Sequence, residues 1–102
     1  NGQYPEQMFC FCKDIAFAEE LKSAGFACAA LLIFADDRLF FAGPSDKIIY
    51  SYFRAGRPIN GRIEKPTGDR NDHVEIKGSY VVSWLPVSSE TKYAIIEVEN
   101  AG

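Results

Sequence analysis

Glu75-Ile76-Lys77 sets a carboxylate and an ammonium two positions apart in a stretch that alternates polar and apolar residues. Residues i and i+2 of a strand share a face. The pair therefore has the arrangement in which a carboxylate holds a divalent metal while a lysine stabilises charge on a phosphate, as in metal-dependent nucleases. Such a centre needs a further acid, and Asp36, Asp37, Asp69 and Asp72 are the ones at hand. The same Glu-x-Lys pattern is also what any solvated strand face produces, because polar residues alternate there regardless of function. His73, the single histidine, titrates in the range of a general acid or base. No nucleophile or orienting partner accompanies it, so Glu75, Lys77 and His73 stand as catalytic candidates without an assembled mechanism.

Cys10, Cys12 and Cys28 supply three thiols, one fewer than a closed tetrahedral zinc site requires. They sit inside apolar runs, where cysteine usually acts as a small buried hydrophobe. No metal and no cofactor is expected. An odd cysteine count outside loops also argues against a secreted disulfide framework and for a reducing, cytoplasmic setting. The chain opens at Asn1 without a methionine, so a removed leader or a trimmed start is compatible with it.

Two surfaces are candidates for binding. Five of the eleven basic residues, Arg54, Arg57, Arg62, Lys65 and Arg70, crowd one stretch that holds two acids, Glu64 and Asp69. That cluster suits phosphates or another anionic ligand, and Tyr50, Tyr52 and Phe53 just before it raise the idea of base stacking on nucleic acid. Tyr52 and Phe53 are, however, needed for the apolar stripe of a helix. The net charge of −3 gives no global attraction to nucleic acid or anionic membranes. The second surface comprises Val81, Leu85, Tyr93 and Ile95, which fall on the parity opposite the buried one in the last strands. An outer sheet face carrying them is a candidate homodimer interface or shallow apolar ligand site.

The elements that must position these residues read as one domain spanning residues 1–102, since this length supports one core and not two. The longest apolar run, Phe26 to Ala35, is about half of a membrane span. Met8 to Cys12 reads as a first strand, followed by a helix capped by Asp14 and ended by Gly25, with Glu19, Glu20 and Lys22 on its solvent side. Cys28 to Ala35 is apolar throughout, as a strand covered on both faces would be. Asp36-Asp37 then suggests a hairpin to Arg38–Ala42, and a second helix with Ile48, Ile49, Tyr52 and Phe53 inward ends at Gly56. Asn60-Gly61 has type I′ hairpin chemistry. Lys65 to Asp72 is turn-forming, His73 to Trp84 alternates as a long strand with Gly78 as a bulge candidate, and Tyr93 to Val98 is the last strand.

The order fits an α+β fold with two helices on one face of a mostly antiparallel sheet, in the split βαβ or ferredoxin-like sequence β-α-β-β-α-β, plus a C-terminal β-hairpin. The expected function is a non-enzymatic binding or protein-interaction module that self-associates through its sheet. The alternative is a nucleic-acid-binding or nuclease-like domain using residues 54–70 with Glu75 and Lys77.

Overall fold

The computed structural model describes residues 3–66 and 72–98. Its element order is helix α1 (Gln3–Ser23), strand β1 (Ala29–Ala35), a 3₁₀ turn (Arg38–Phe40), helix α2 (Ile48–Arg54), then strands β2 (Ile59–Glu64), β3 (His73–Tyr80), β4 (Leu85–Pro86) and β5 (Lys92–Val98). The fold is α+β with antiparallel strands throughout. The strands form two sheets, ordered β1-β5-β4 and β2-β3. Helix α1 lies against strands of both, and α2 packs chiefly on α1 and the 3₁₀ turn. The single sheet and the β-α-β-β-α-β order expected from the sequence are not what forms. Among the described residues no helix is long and apolar enough to cross a membrane.

The first difference lies at Met8–Cys12, which is helical rather than a strand. Met8, Cys12, Ile15 and Glu19 recur at i, i+4, i+7 and i+11, and all four are buried; that spacing is one face of a helix. The strand preference of Phe9 and Phe11 is outweighed by packing on this face. Pro5 falls in the first turn, where its missing N–H has no intrahelical acceptor to lose. Asp14 lies mid-helix and exposed instead of capping. The expected end does occur: Phe26 N–H reaches Leu21 O at 3.2 Å and Gly25 N–H reaches Lys22 O at 3.1 Å, the paired bonds of a Schellman cap.

The Asp36-Asp37 hairpin is also replaced. Asp37 accepts from Leu39 N–H at 3.0 Å and caps the 3₁₀ turn, so the aspartate satisfies its own chain locally and Arg38–Ala42 forms no strand. The Tyr4 hydroxyl donates to the other carboxylate oxygen, which lowers the Asp37 pKa and raises that of Tyr4. An aromatic cluster surrounds this junction. Tyr4 meets Phe40 edge-on at 5.0 Å, and Phe11 lies between Phe40 and Phe53 at 6.2 and 5.9 Å. Farther along, Trp84 Nε1–H donates to Phe53 O at 2.7 Å and ties the segment after β3 to α2.

Asn60-Gly61 turns out to lie inside β2. A type I′ turn needs positive φ at both central residues; Gly61 has φ +76°, while no non-glycine among the described residues does. The pair forms an irregularity instead. Ile59 faces Tyr80 and Gly61 faces Ile76, so Asn60 alone stands opposite Lys77, Gly78 and Ser79. Asn60 Nδ2–H donates to Gly78 O at 2.6 Å across the gap. The connection from β2 to β3 falls to the 65–72 segment, closed by Lys65 N–H to Asp72 O at 2.9 Å. Residues 67–71, which include Asp69 and Arg70, lie outside the described residues.

A bulge of this kind removes β3 amides from the ladder, and buried amides without acceptors are costly. Glu19, expected on the solvent side of its helix, supplies the acceptors. It is 6% exposed. Its Oε1 accepts from Lys77 N–H at 2.9 Å, and its Oε2 accepts from Gly78 N–H at 2.7 Å and from the Tyr80 hydroxyl at 2.8 Å. A Cβ at Gly78 would stand 2.7 Å from Tyr80 Cζ, well inside van der Waals contact.

Glu19→Gln places an NH₂ against an amide donor, and should cost about 2 kcal/mol or more in chemical denaturation, since hydrogen bonds to a charged group are worth about 1.5–3 kcal/mol each. An unchanged denaturation midpoint would contradict this role. Gly78→Ala should destabilise by about 1–3 kcal/mol as Tyr80 is displaced from the carboxylate, which a shift in the same midpoint would measure.

Candidate functional site

The three-stranded sheet has one covered and one bare face. Ile33 and Ala35 of β1 and Ala94, Ile96 and Val98 of β5 are buried, while Ala30, Leu32, Phe34 and Ile95 are exposed on the other parity. β1 therefore alternates, in contrast to the strand covered on both faces that its composition suggests. Register assembles the bare face. Leu32 stands opposite Ile95, and Tyr93 lies between Phe34 on one side and Leu85 on the other. Leu32, Phe34, Leu85 and Ile95 are 64%, 59%, 48% and 58% exposed. Of the residues the sequence assigned to an interface, Leu85, Tyr93 and Ile95 thus share one face. Val81 is half exposed but lies between β3 and β4, outside the strand register. Leu32 and Phe34 were missed because an all-apolar run conceals which of its parities is bare.

The outer edge of β1 compounds this exposure. Among the described residues β1 pairs with β5 alone, and Ala29–Ala35 contains no charged residue, whereas edge strands usually carry charge, proline or a bulge that blocks further pairing.

The basic stretch is divided by the fold. Arg54 donates from Nε to Leu39 O and from Nη1 to Pro44 O, both at 2.8 Å, and its guanidinium stacks 3.8 Å from the centre of the Tyr50 ring. It holds the 3₁₀ loop to α2. Arg57, Arg62 and Lys65 instead line one cleft between α2 and β2, joined by Lys47 and with a volume of about 450 Å³. Arg62 is paired with Glu64 at 3.1 Å. Tyr52 and Phe53 are buried, so the aromatic platform on which single-stranded nucleic acid stacks is not presented by them.

Glu75 and Lys77 do share the exposed parity of β3. Glu75 lies 3.6 Å from His73 Nε2, and Lys77 gives its backbone amide to Glu19. No group of three His, Cys, Asp or Glu residues close enough to hold a metal occurs among the described residues. Asp37, one of the acids considered for such a centre, is occupied by Tyr4 and the 3₁₀ cap.

The cysteines part company because positions two apart on a helix point about 200° from each other. Cys12 is buried while Cys10 and Cys28 are exposed, so two of the three depart from the expected buried role. Burial pushes the Cys12 thiol from 9.0 up to about 12. Two thiols should react promptly with an aromatic disulfide reagent at pH 8, and the third only on unfolding; three equally fast thiols would contradict this placement. Because the folded-state pKa is raised, the stability tied to Cys12 is complete below pH 9.0 and is lost as pH climbs toward 12.

Compared with protein-family models, curated proteins and solved structures, the chain matches none of them.

Proposed function

We propose that this chain is a non-enzymatic interaction module that self-associates, with a second copy covering the bare face of the β1-β5-β4 sheet. The observation that carries the proposal is the row Leu32, Phe34, Ile95 and Leu85, each about half or more exposed and contiguous by register. A patch of this kind covers a few hundred Å², on the order of the largest patches found on monomers, which are often functional. A standard interface needs about 800 Å² per partner. The row supplies part of that area, and a dimer interface extends beyond it to flanking residues such as Ala30 and Tyr93.

The chemistry of the row favours a second copy over a dissimilar ligand. It is flat and aliphatic-aromatic, with Glu97 as the acid on the same parity of β5, and it offers no concentrated charge to select a polar partner. Two such faces stacked about a twofold axis would form a sandwich with sheets about 10 Å apart, in which alternating large and small residues such as Phe34 and Ala30 interdigitate.

Sedimentation equilibrium should give a dimer for the unaltered chain and a monomer for Leu32→Glu and for Ile95→Lys, with thermal unfolding showing both variants folded. These positions are solvent-exposed, so charge there leaves the core intact. A monomer at millimolar concentration for the unaltered chain would sink the proposal, as would a dimer indifferent to both substitutions.

A further inference from the structure

The cleft between α2 and β2 combines apolar lining with a cluster of cations. Its lining includes the buried Ile49, Tyr52 and Ile63 together with Ile48, which is 67% exposed and contributes accessible apolar surface. Its walls carry four cations, Lys47, Arg57, Arg62 and Lys65, against the acids Asp46 and Glu64. Among the described lining residues the local balance is thus positive by two, on a chain whose net charge is −3. Glu64 is engaged by Arg62 at 3.1 Å, which leaves Lys47, Arg57 and Lys65 facing one further acid.

Arg57 is the best positioned of these cations. Its backbone N–H bonds Ser51 O at 3.1 Å beyond the end of α2, and its guanidinium lies 5.3 Å from the centre of the Tyr52 ring. Stacking of this kind limits the side chain's rotamers and leaves the planar donor fork free for a carboxylate. Lys65 is held from the other side, where its N–H bonds Asp72 O at 2.9 Å. A volume of about 450 Å³ falls within the usual range of small-molecule sites, which are mostly apolar with a few polar groups that fix orientation.

We infer that this cleft binds a small amphipathic carboxylate, with the apolar body against Ile48 and the carboxylate held between Arg57 and Lys65. Charge complementarity selects the anion. The apolar part of the lining selects against a free inorganic ion, which would leave the exposed Ile48 side chain in contact with water. The single balance of charge also separates this ligand from a nucleic acid, whose repeated phosphates need a track of cations longer than the cleft. This site lies on the β2-β3 side of the molecule and is independent of the bare face of the other sheet.

The probe is decanoate titrated calorimetrically into the intact chain below its micelle concentration, with decanol and inorganic phosphate as parallel arms. Decanoate should bind, and decanol and phosphate should each bind at least roughly tenfold more weakly, because each lacks one half of the recognition. Arg57→Gln and Lys65→Gln should each weaken decanoate by roughly tenfold, whereas Lys13→Gln, at an exposed cation of α1 outside the cleft lining, should leave it unchanged. Both cations are at the surface, so these variants retain the fold. Equal binding of decanol, tight binding of phosphate alone, indifference to both cleft-cation variants, or loss of binding in Lys13→Gln would each overturn the assignment.

Discussion

The Glu19 carboxylate and the bulge in β3 depend on each other, and the arrangement of the two sheets depends on both. The two sheets share no ladder of backbone hydrogen bonds, and α1 is the element that lies against both. A purely apolar helix face could slide or rotate on a sheet at small cost, because hydrophobic burial is not directional. Three hydrogen bonds from Lys77, Gly78 and Tyr80 to one carboxylate are directional, and they fix where α1 sits on β3. The bulge in turn needs the carboxylate, since its amides have left the ladder. Gly78 completes the fit by leaving room for the Tyr80 ring.

With α1 fixed in this way, the consequences spread outward. Its apolar face covers the inner parity of β1 and β5, and its N-terminal turn meets the 3₁₀ loop through Tyr4, Asp37 and Phe40. Arg54 draws the same loop onto α2 through two backbone carbonyls. Among the described residues no element reaches the far face of the β1-β5-β4 sheet, because both helices are engaged elsewhere. The bare row on that face and the uncharged edge of β1 are therefore products of the topology. The cleft beside β2 has a similar origin: α2 packs on α1 and the 3₁₀ turn, so space remains between it and the strand.

Local chemistry was legible where it acts locally. Gly25 and Gly56 end their helices, the alternation of Val74, Ile76, Tyr80 and Val82 sets the inward face of β3 and its extension, and Ala94, Ile96 and Val98 are all buried. Leu85, Tyr93 and Ile95 were correctly grouped on the opposite parity. Signals that two structures can satisfy were misread. An apolar run such as Met8–Cys12 suits a buried strand and a buried helix alike, and its period emerges only when Ile15 and Glu19 are counted with it. Asn60-Gly61 has the composition of a tight turn but sits where the chain runs straight on, its glycine absorbing a bulge instead.

The sequence by itself determined the α+β class, the inward parity of the later strands, the helix ends and the presence of a basic central segment, because each of these follows from interactions between residues a few positions apart. Tertiary structure decided the rest. Glu19 meets residues about sixty positions away, and neither its burial nor its partners are implied by the residues beside it. Leu32 and Phe34 became exposed because no element among the described residues covers their face, and Arg54 was separated from Arg57 by backbone carbonyls of the preceding loop. Each outcome depends on which distant segments are brought together, and a carboxylate or a leucine does not encode its distant neighbours in its own type.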